Sequence, residues 1–186
     1  MNNYITLYEK TLSPKACQNL IDKFELYTHQ HEKEHIIAND GWHMQFTQIK
    51  LANHQEFKQE NAQLRALFLE AISAYKKEHN IQEYQWPTKF NLEPLRMKRY
   101  LPDSDERFDE HVEVTNIETS RRFLVLFLYL NDDYEGGETE FPQMQIAVKT
   151  KQGNIVLFPA MWNWLHKGNP VKTKPKYIVG TMMYYV

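Results

Sequence analysis

A histidine and a glutamate stand two residues apart at His111-Val112-Glu113, inside the run FDEHVEVTNIETSRRFLVLFLY over residues 108–129. Side chains two apart on a β-strand share a face. His111 and Glu113 can therefore aim at one atom while Val112 points away. A neutral imidazole and a carboxylate are two of the three ligands of a facial triad, the set that suits non-haem Fe(II). The third ligand would be a histidine from another strand, and His166, in Trp164-Leu165-His166-Lys167-Gly168, is the candidate. Neither motif is specific alone. A His-x-Glu is common on exposed strands, and a histidine among tryptophans is common in cores. It is their joint occurrence, in this order and in these strand contexts, that points to a metal.

The elements that must bring these residues together follow from the hydrophobic periodicity. Residues 3–9 read as a short strand. Ser13-Pro14 gives an N-cap with proline at the first helical position, and Leu20, Ile21, Phe24 and Tyr27 follow at helical spacing, so the pattern predicts an amphipathic helix over 14–28. Residues 29–35 are polar and read as a helix end or loop. Residues 42–51 alternate partly and read as a strand. Residues 55–79 carry the longest helical pattern, with Phe57, Leu64, Phe68, Ile72 and Tyr75 on one stripe.

From Phe90 the texture changes to strands and turns. Residues 92–100 predict one strand, with Leu95, Met97 and Arg99 on one face and Arg96, Lys98 and Tyr100 on the other. Residues 101–109 read mostly as loop and 108–114 as the next strand. Residues 123–130 are apolar on both faces, four leucines on one and Phe123, Val125, Phe127 and Tyr129 on the other, as in a strand covered on both sides. The leucine face is expected under the helices, and the Tyr129 face in the cavity that His111 enters. Gly136-Gly137 marks a turn, and short strands are predicted at 146–149, 154–159, 164–168 and 176–186. Helices first and short strands after predict an α+β, mainly β fold, a double-sheet jelly roll buttressed by N-terminal helices. The expected organisation is one domain over 1–186, with 1–90 as helix-rich support and 91–186 as the catalytic core.

A chain of 186 residues can bury a substantial core. A net charge of -2 supplies no field that would draw it to nucleic acid or an anionic membrane, so neither is an expected partner. Cys17 is the one cysteine, which excludes an internal disulfide and fits a reducing compartment. The opening MNNYITLYEK lacks a basic region followed by an apolar core. The longest apolar run, 123–130, is too short to span a bilayer. The expected location is cytoplasmic.

Taken together, His111-x-Glu113, Tyr129-Leu130-Asn131, Gly136-Gly137-Glu138-Thr139-Glu140-Phe141, Phe158-Pro159-Ala160 and His166-Lys167-Gly168-Asn169-Pro170-Val171 with Lys176 resemble a 2-oxoglutarate- and Fe(II)-dependent oxygenase. The subgroup they resemble is the prolyl 4-hydroxylase-like one, over residues 92–186. The resemblance implies a double-stranded β-helix, with iron held by the catalytic residues His111, Glu113 and His166. It implies that Lys176 pairs with the distal carboxylate of 2-oxoglutarate, that Tyr129 hydrogen-bonds the same carboxylate, that Tyr100 lies near cosubstrate or substrate, and that Arg122 contacts substrate. Fe(II), 2-oxoglutarate and O2 are the implied cofactors, and the resemblance admits ascorbate. The implied reaction hydroxylates a C–H bond, such as a prolyl ring in a peptide or protein, with release of succinate and CO2. A non-prolyl or free amino-acid substrate is the alternative, and a non-catalytic jelly-roll metal- or ligand-binding module is the competing class. Oligomeric state is left open.

Two departures stand out. Glu113 replaces the family's usual aspartate, and the loop over 101–107 is acidic without glycine. A buried dianion must be paired, because an unpaired buried charge is very costly; Lys176 begins an apolar strand and meets that need, whereas Lys172 and Lys174 read as solvated loop. Asp103, Asp105, Glu106, Asp109, Glu110, Asp132, Asp133 and Glu135 read as solvated loops or, alternatively, as a lid favouring basic peptides. His29, His31, His35, His43, His54 and His79 read as surface or local packing residues.

Overall fold

Residues 4–148 and 151–186 are described in the computed structural model, and among them run twelve strands and two α-helices. In chain order these are β1 (Thr6–Tyr8), α1 (Pro14–Leu26), β2 (Glu32–Ile37), β3 (His43–Lys50), α2 (Lys58–Glu78), β4 (Phe90–Leu92), β5 (Arg96–Tyr100), β6 (Phe108–His111), β7 (Arg122–Tyr129), β8 (Thr139–Phe141), β9 (Ile146–Val148), β10 (Ile155–Pro159), β11 (His166–Gly168) and β12 (Lys176–Tyr185). Asn3, in the predicted first strand, and Lys149, at the end of the predicted 146–149 strand, lie outside the described residues. Every strand pairing is antiparallel. The hydrogen-bonded order is β1-β10-β7-β12-β5-β3-β6-β11-β8-β9, with β2 added on β3 and β4 on β12. The sheet curls until β3, β5, β6, β7, β8, β11 and β12 all line one cavity. This is the expected jelly roll. Among the described residues no helix is long and apolar enough to cross a membrane.

Two cores follow from the alternation on β7. Leu124, Leu126, Leu128 and Leu130 turn outward and pack with Cys17, Leu20, Ile21 and Phe24 of α1 and Leu64, Phe68, Ile72 and Tyr75 of α2. Val125, Phe127 and Tyr129 turn inward with Phe46, Phe141 and Phe158. Helix α1 starts where expected, Ser13 Oγ accepting from the Ala16 amide at 3.3 Å with Pro14 at the first position.

Four expectations are corrected. Residues 32–37, read within or beside a loop, form β2 and pair along β3 from Glu32↔Gln48 to Ile37↔His43. The charges that hid the strand belong to an outer edge, where charged side chains discourage further pairing. The single strand over 92–100 breaks around Pro94, which has no N–H to give a ladder: β4 pairs the far end of β12 and β5 its beginning. Phe123 leaves the Val125 face. It falls where the β7–β12 register skips a residue, a bulge that re-aims it towards Trp86 and Tyr185 at 5.1 and 5.5 Å. Finally, residues before 91 do more than support, because β3 lies between β5 and β6 within the sheet.

Candidate active site

The register of β6 on β11 sets His111 directly opposite His166, with ring centroids 4.2 Å apart. Strand β6 ends at His111, so Glu113 does not share a strand face with it as predicted; it lies on the bend beyond. Arg122 supplies the restraint that the strand does not. Its Nη1 donates to the Glu113 carbonyl at 3.0 Å and to Oε2 at 3.1 Å, while Nε and Nη2 fork onto Glu93 at 2.7 and 3.1 Å. The result still converges: one ligand atom each from His111, Glu113 and His166 lies within 4.8 Å of the others.

Both imidazoles are oriented by backbone carbonyls. His111 Nδ1 lies 2.8 Å from the Asp109 carbonyl and His166 Nδ1 2.9 Å from that of Trp164. A carbonyl can only accept, so each Nδ1 carries the proton and each Nε2 offers a lone pair. Those Nε2 atoms approach Glu113 Oε1 at 3.5 and 3.6 Å, too far for hydrogen bonds, and both are buried without a hydrogen-bond partner. Burial works against the charged form of Glu113, and the Arg122 guanidinium on Oε2 at 3.1 Å offsets it. Burial likewise lowers His111. Phe108 stacks on His111 at 3.5 Å and Phe158 lies edge-on to His166 at 4.7 Å. Two orphaned nitrogens and an ionised carboxylate in an apolar surround fit a divalent first-row metal, and the two-histidine, one-carboxylate set is that of Fe(II).

The triad opens into a cavity of about 220 Å³. A larger groove of about 550 Å³ runs between α1 and α2, lined by residues such as Leu20, Gln63 and Leu67, and holds none of the triad. Lys176 is buried in the cavity wall at 3% exposure, opposite Tyr100 in the β5–β12 register. Its Nζ donates to the Gly137 carbonyl at 2.6 Å and lies 5.5 Å from the rings of Tyr100 and Tyr129. Burial pushes this lysine down to about 7. Tyr129 is fully buried, its hydroxyl 2.8 Å from Thr139 Oγ1. Thr139 lines the cavity, so it joins the candidate site although sequence reasoning passed over it; its place at the start of the strand after Gly136-Gly137 was the available signal.

Arg122 lines the cavity too, but its donors are spent on Glu93 and Glu113, which makes it a positioning residue for the triad before any contact with substrate. Lys98 was also passed over. It lies two residues before Tyr100 on β5, on the face that strand alternation gave both, yet it was not taken as a site residue. Arg96, Lys98 and Lys167 line the cavity together with Met44, Phe46 and Glu34 from the first ninety residues. None of the eight residues proposed for an acidic lid lines it. Glu106 instead caps the Leu101 amide at 2.6 Å, Asp109 binds Arg107 at 2.8 Å and Asp133 binds Lys174 at 2.9 Å. Local needs hold these three carboxylates.

The 2OG-Fe(II) oxygenase superfamily model matches residues 95–184, the stretch that carries the triad and Lys176. That stretch, just under half of the chain, is what the chain shares with the 2OG-Fe(II) oxygenase superfamily. An Acanthamoeba polyphaga mimivirus protein bearing a prolyl 4-hydroxylase name is 30% identical over 108 residues, 47% of this chain and 43% of that one. The chain thus spans under half the length of that relative. The fold matches a viral collagen prolyl hydroxylase of Paramecium Bursaria Chlorella virus-1, solved as its 2OG complex, with TM-score 0.67 at 20% identity over 98% of this chain and 96% of that one. It also matches a Trichoplax adhaerens prolyl hydroxylase bound to a hypoxia inducible factor peptide fragment, with TM-score 0.74 at 12% identity over 98% and 84%. At these identities the likenesses show the fold alone, a jelly roll of the kind that prolyl hydroxylases have.

Proposed function

We propose that this chain is a 2-oxoglutarate- and Fe(II)-dependent dioxygenase that hydroxylates a C–H bond, with a prolyl ring in a peptide as its leading substrate class. The observation that carries the reading is the pair of buried, partnerless Nε2 atoms facing Glu113, in one cavity with the buried Lys176. His111, Glu113 and His166 would hold the metal, and Lys176 with Thr139 and Tyr100 would receive the far carboxylate of the cosubstrate. When bound, metal and 2-oxoglutarate supply the activation of O2: one oxygen atom enters the substrate C–H bond, the other enters succinate, and CO2 leaves. The chain supplies orientation and dryness. The Asp109 and Trp164 carbonyls keep protons on Nδ1, Arg122 steadies Glu113, and Phe108, Phe141 and Phe158 exclude water around the histidines.

The peptide assignment is supported by the prolyl hydroxylase names of the mimivirus relative and of the structural neighbours. A free amino acid is the second reading, favoured by the cationic wall around Lys98. Ascorbate as auxiliary reductant belongs to the same proposal, as does a cytoplasmic location, supported by a single, buried cysteine. The test mixes anaerobic protein, Fe(II) and 2-oxoglutarate, follows the visible charge-transfer band, then admits air and assays succinate. Band and succinate are expected. Neither would replace the enzyme by a binding module.

A further inference from the structure

The cavity wall carries more positive charge than one dicarboxylate requires. On β5 the side chains of Arg96, Lys98 and Tyr100 all line the cavity. Lys176 faces Tyr100 across the strand pair, whereas Lys98 faces Ile178 on one side and Gln48 on the other. Lys98 is 7% exposed. Its ammonium lies 4.4 Å from the centre of the Phe46 ring and 5.8 Å from that of Phe108, the ring stacked on His111. Among the described residues no hydrogen bond or ion pair reaches that ammonium, nor the guanidinium of half-buried Arg96. Glu34, the other acid on the wall besides Glu113, accepts from Gln48 at 2.6 Å. Glu113 is engaged by Arg122 and flanked by the two histidines.

Contact with two rings recovers only part of the cost of a buried ammonium. Burial accordingly draws Lys98 down to about 8. A group left in this state beside a reaction centre lacks an anion. Lys176, whose Nζ is directed to Gly137 and stands near Tyr129, already answers for the cosubstrate's far carboxylate.

We propose that Lys98, flanked by Arg96, is a carboxylate seat for the compound being hydroxylated, so that the substrate presents a carboxylate to β5 while its reacting C–H lies at the triad. The proposal rests on the dioxygenase reading and narrows it. It selects substrates with a free carboxylate close to the reacting carbon, either a free amino acid or the C-terminal residue of a peptide, over interior residues of a neutral segment.

The test loads the protein with Mn(II) and 2-oxoglutarate and titrates matched acids and amides by calorimetry. The probes are L-proline against L-prolinamide, N-acetyl-L-proline against its amide, and Gly-Ala-Pro with a free or amidated C-terminus. Each acid is expected to bind roughly tenfold or more tightly than its amide, the scale of a charge-assisted hydrogen bond. Lys98→Met should erase that preference, Lys98→Arg should retain most of it, and 2-oxoglutarate affinity should change by less than about threefold in either. Should Lys98→Met fail to fold, Lys98→Gln serves in its place. Acids and amides that bind alike, or not at all, would overturn the proposal. So would a preference that survives Lys98→Met, or a loss of 2-oxoglutarate as deep as that of Lys176→Met. Tight tripeptide acid with weak L-proline assigns the carboxylate to a peptide end, and the reverse assigns it to a free amino acid; either supports the seat. Wild-type protein that takes up neither Mn(II) nor 2-oxoglutarate would sink the dioxygenase reading instead, and the acid–amide comparison without them would still judge Lys98.

Discussion

At one end of the cavity Lys176 donates to Gly137 and the Tyr129 hydroxyl meets Thr139, whereas at the other the Lys98 ammonium lies over aromatic rings with no hydrogen-bond partner among the described residues. The first end is wired to itself before any ligand arrives. Its lysine and hydroxyls are held in place, so a diacid finds them preorganised. The second end leaves its charge open. Under the proposed function, the first end suits an invariant cosubstrate and the second a substrate that brings its own anion. The triad lies between them and serves both.

The largest effect should come from that shared centre. His166→Ala removes one of two orphaned nitrogens and should bring both bound iron and succinate formation to background, measured by metal analysis and coupled assay. Lys176→Met comes next and separates the ends. Breaking a buried charged pair costs about 3–5 kcal/mol, so 2-oxoglutarate affinity should fall by roughly two to four orders of magnitude while iron is retained. Calorimetry reads the first and metal analysis the second; unchanged affinity would mean that Lys98, not Lys176, anchors the diacid. Arg122→Met should lower iron affinity by about 10–100-fold, the usual loss when a ligand's outer partner is removed, because Glu113 is not fixed by a strand. A metal titration decides between this and a substrate-only role, which would leave iron binding intact.

Gly137→Ala tests the scaffold behind Lys176. Gly137 has φ +70, and a Cβ there would lie 2.7 Å from Val171 Cγ1 and 3.2 Å from Lys176 Cδ. A loss of about 1–3 kcal/mol is expected from strain of this kind, read from denaturant unfolding. The smallest effect is that of pH. Lys176 titrates near 7 in the free protein against about 10.4 in an unfolded chain. Between these values the unfolded chain holds more protons, so this group makes the free fold more stable as pH rises. Cosubstrate binding runs the other way, since it needs the ammonium: affinity should be full below pH 7 and decline above it by at most about tenfold per unit. A flat calorimetric profile from pH 6.5 to 8.5 would show that another group carries the charge.

Much of the triad and of the closed end was legible because the residues stand in motifs: His111, His166, Lys176 and the Gly136-Gly137 turn all sit on or beside strands that the apolar pattern announced. Glu113 was found for a reason that was only half right, since a bend and an arginine, rather than strand alternation, bring it in. The open end was harder to see. Phe46 and Met44 come from β3, a strand recognised in sequence but with no hint of its partners, because pairing is a matter of topology rather than local pattern. Lys98 was placed on the strand face of Tyr100, but no motif singled it out as a site residue. Only the curl of the sheet turns that side inward.

The placement of β3 between β5 and β6 has a practical corollary. A fragment trimmed to the region matching the superfamily would lose β1, β3 and β4 and so bare edges of β10, β5, β6 and β12, and Lys98 would lose the Phe46 ring that shelters it. Such a fragment should aggregate rather than bind metal. Strand β3 thus completes the sheet, and exchanging the first ninety residues would exchange Glu34, Met44 and Phe46 in the cavity wall.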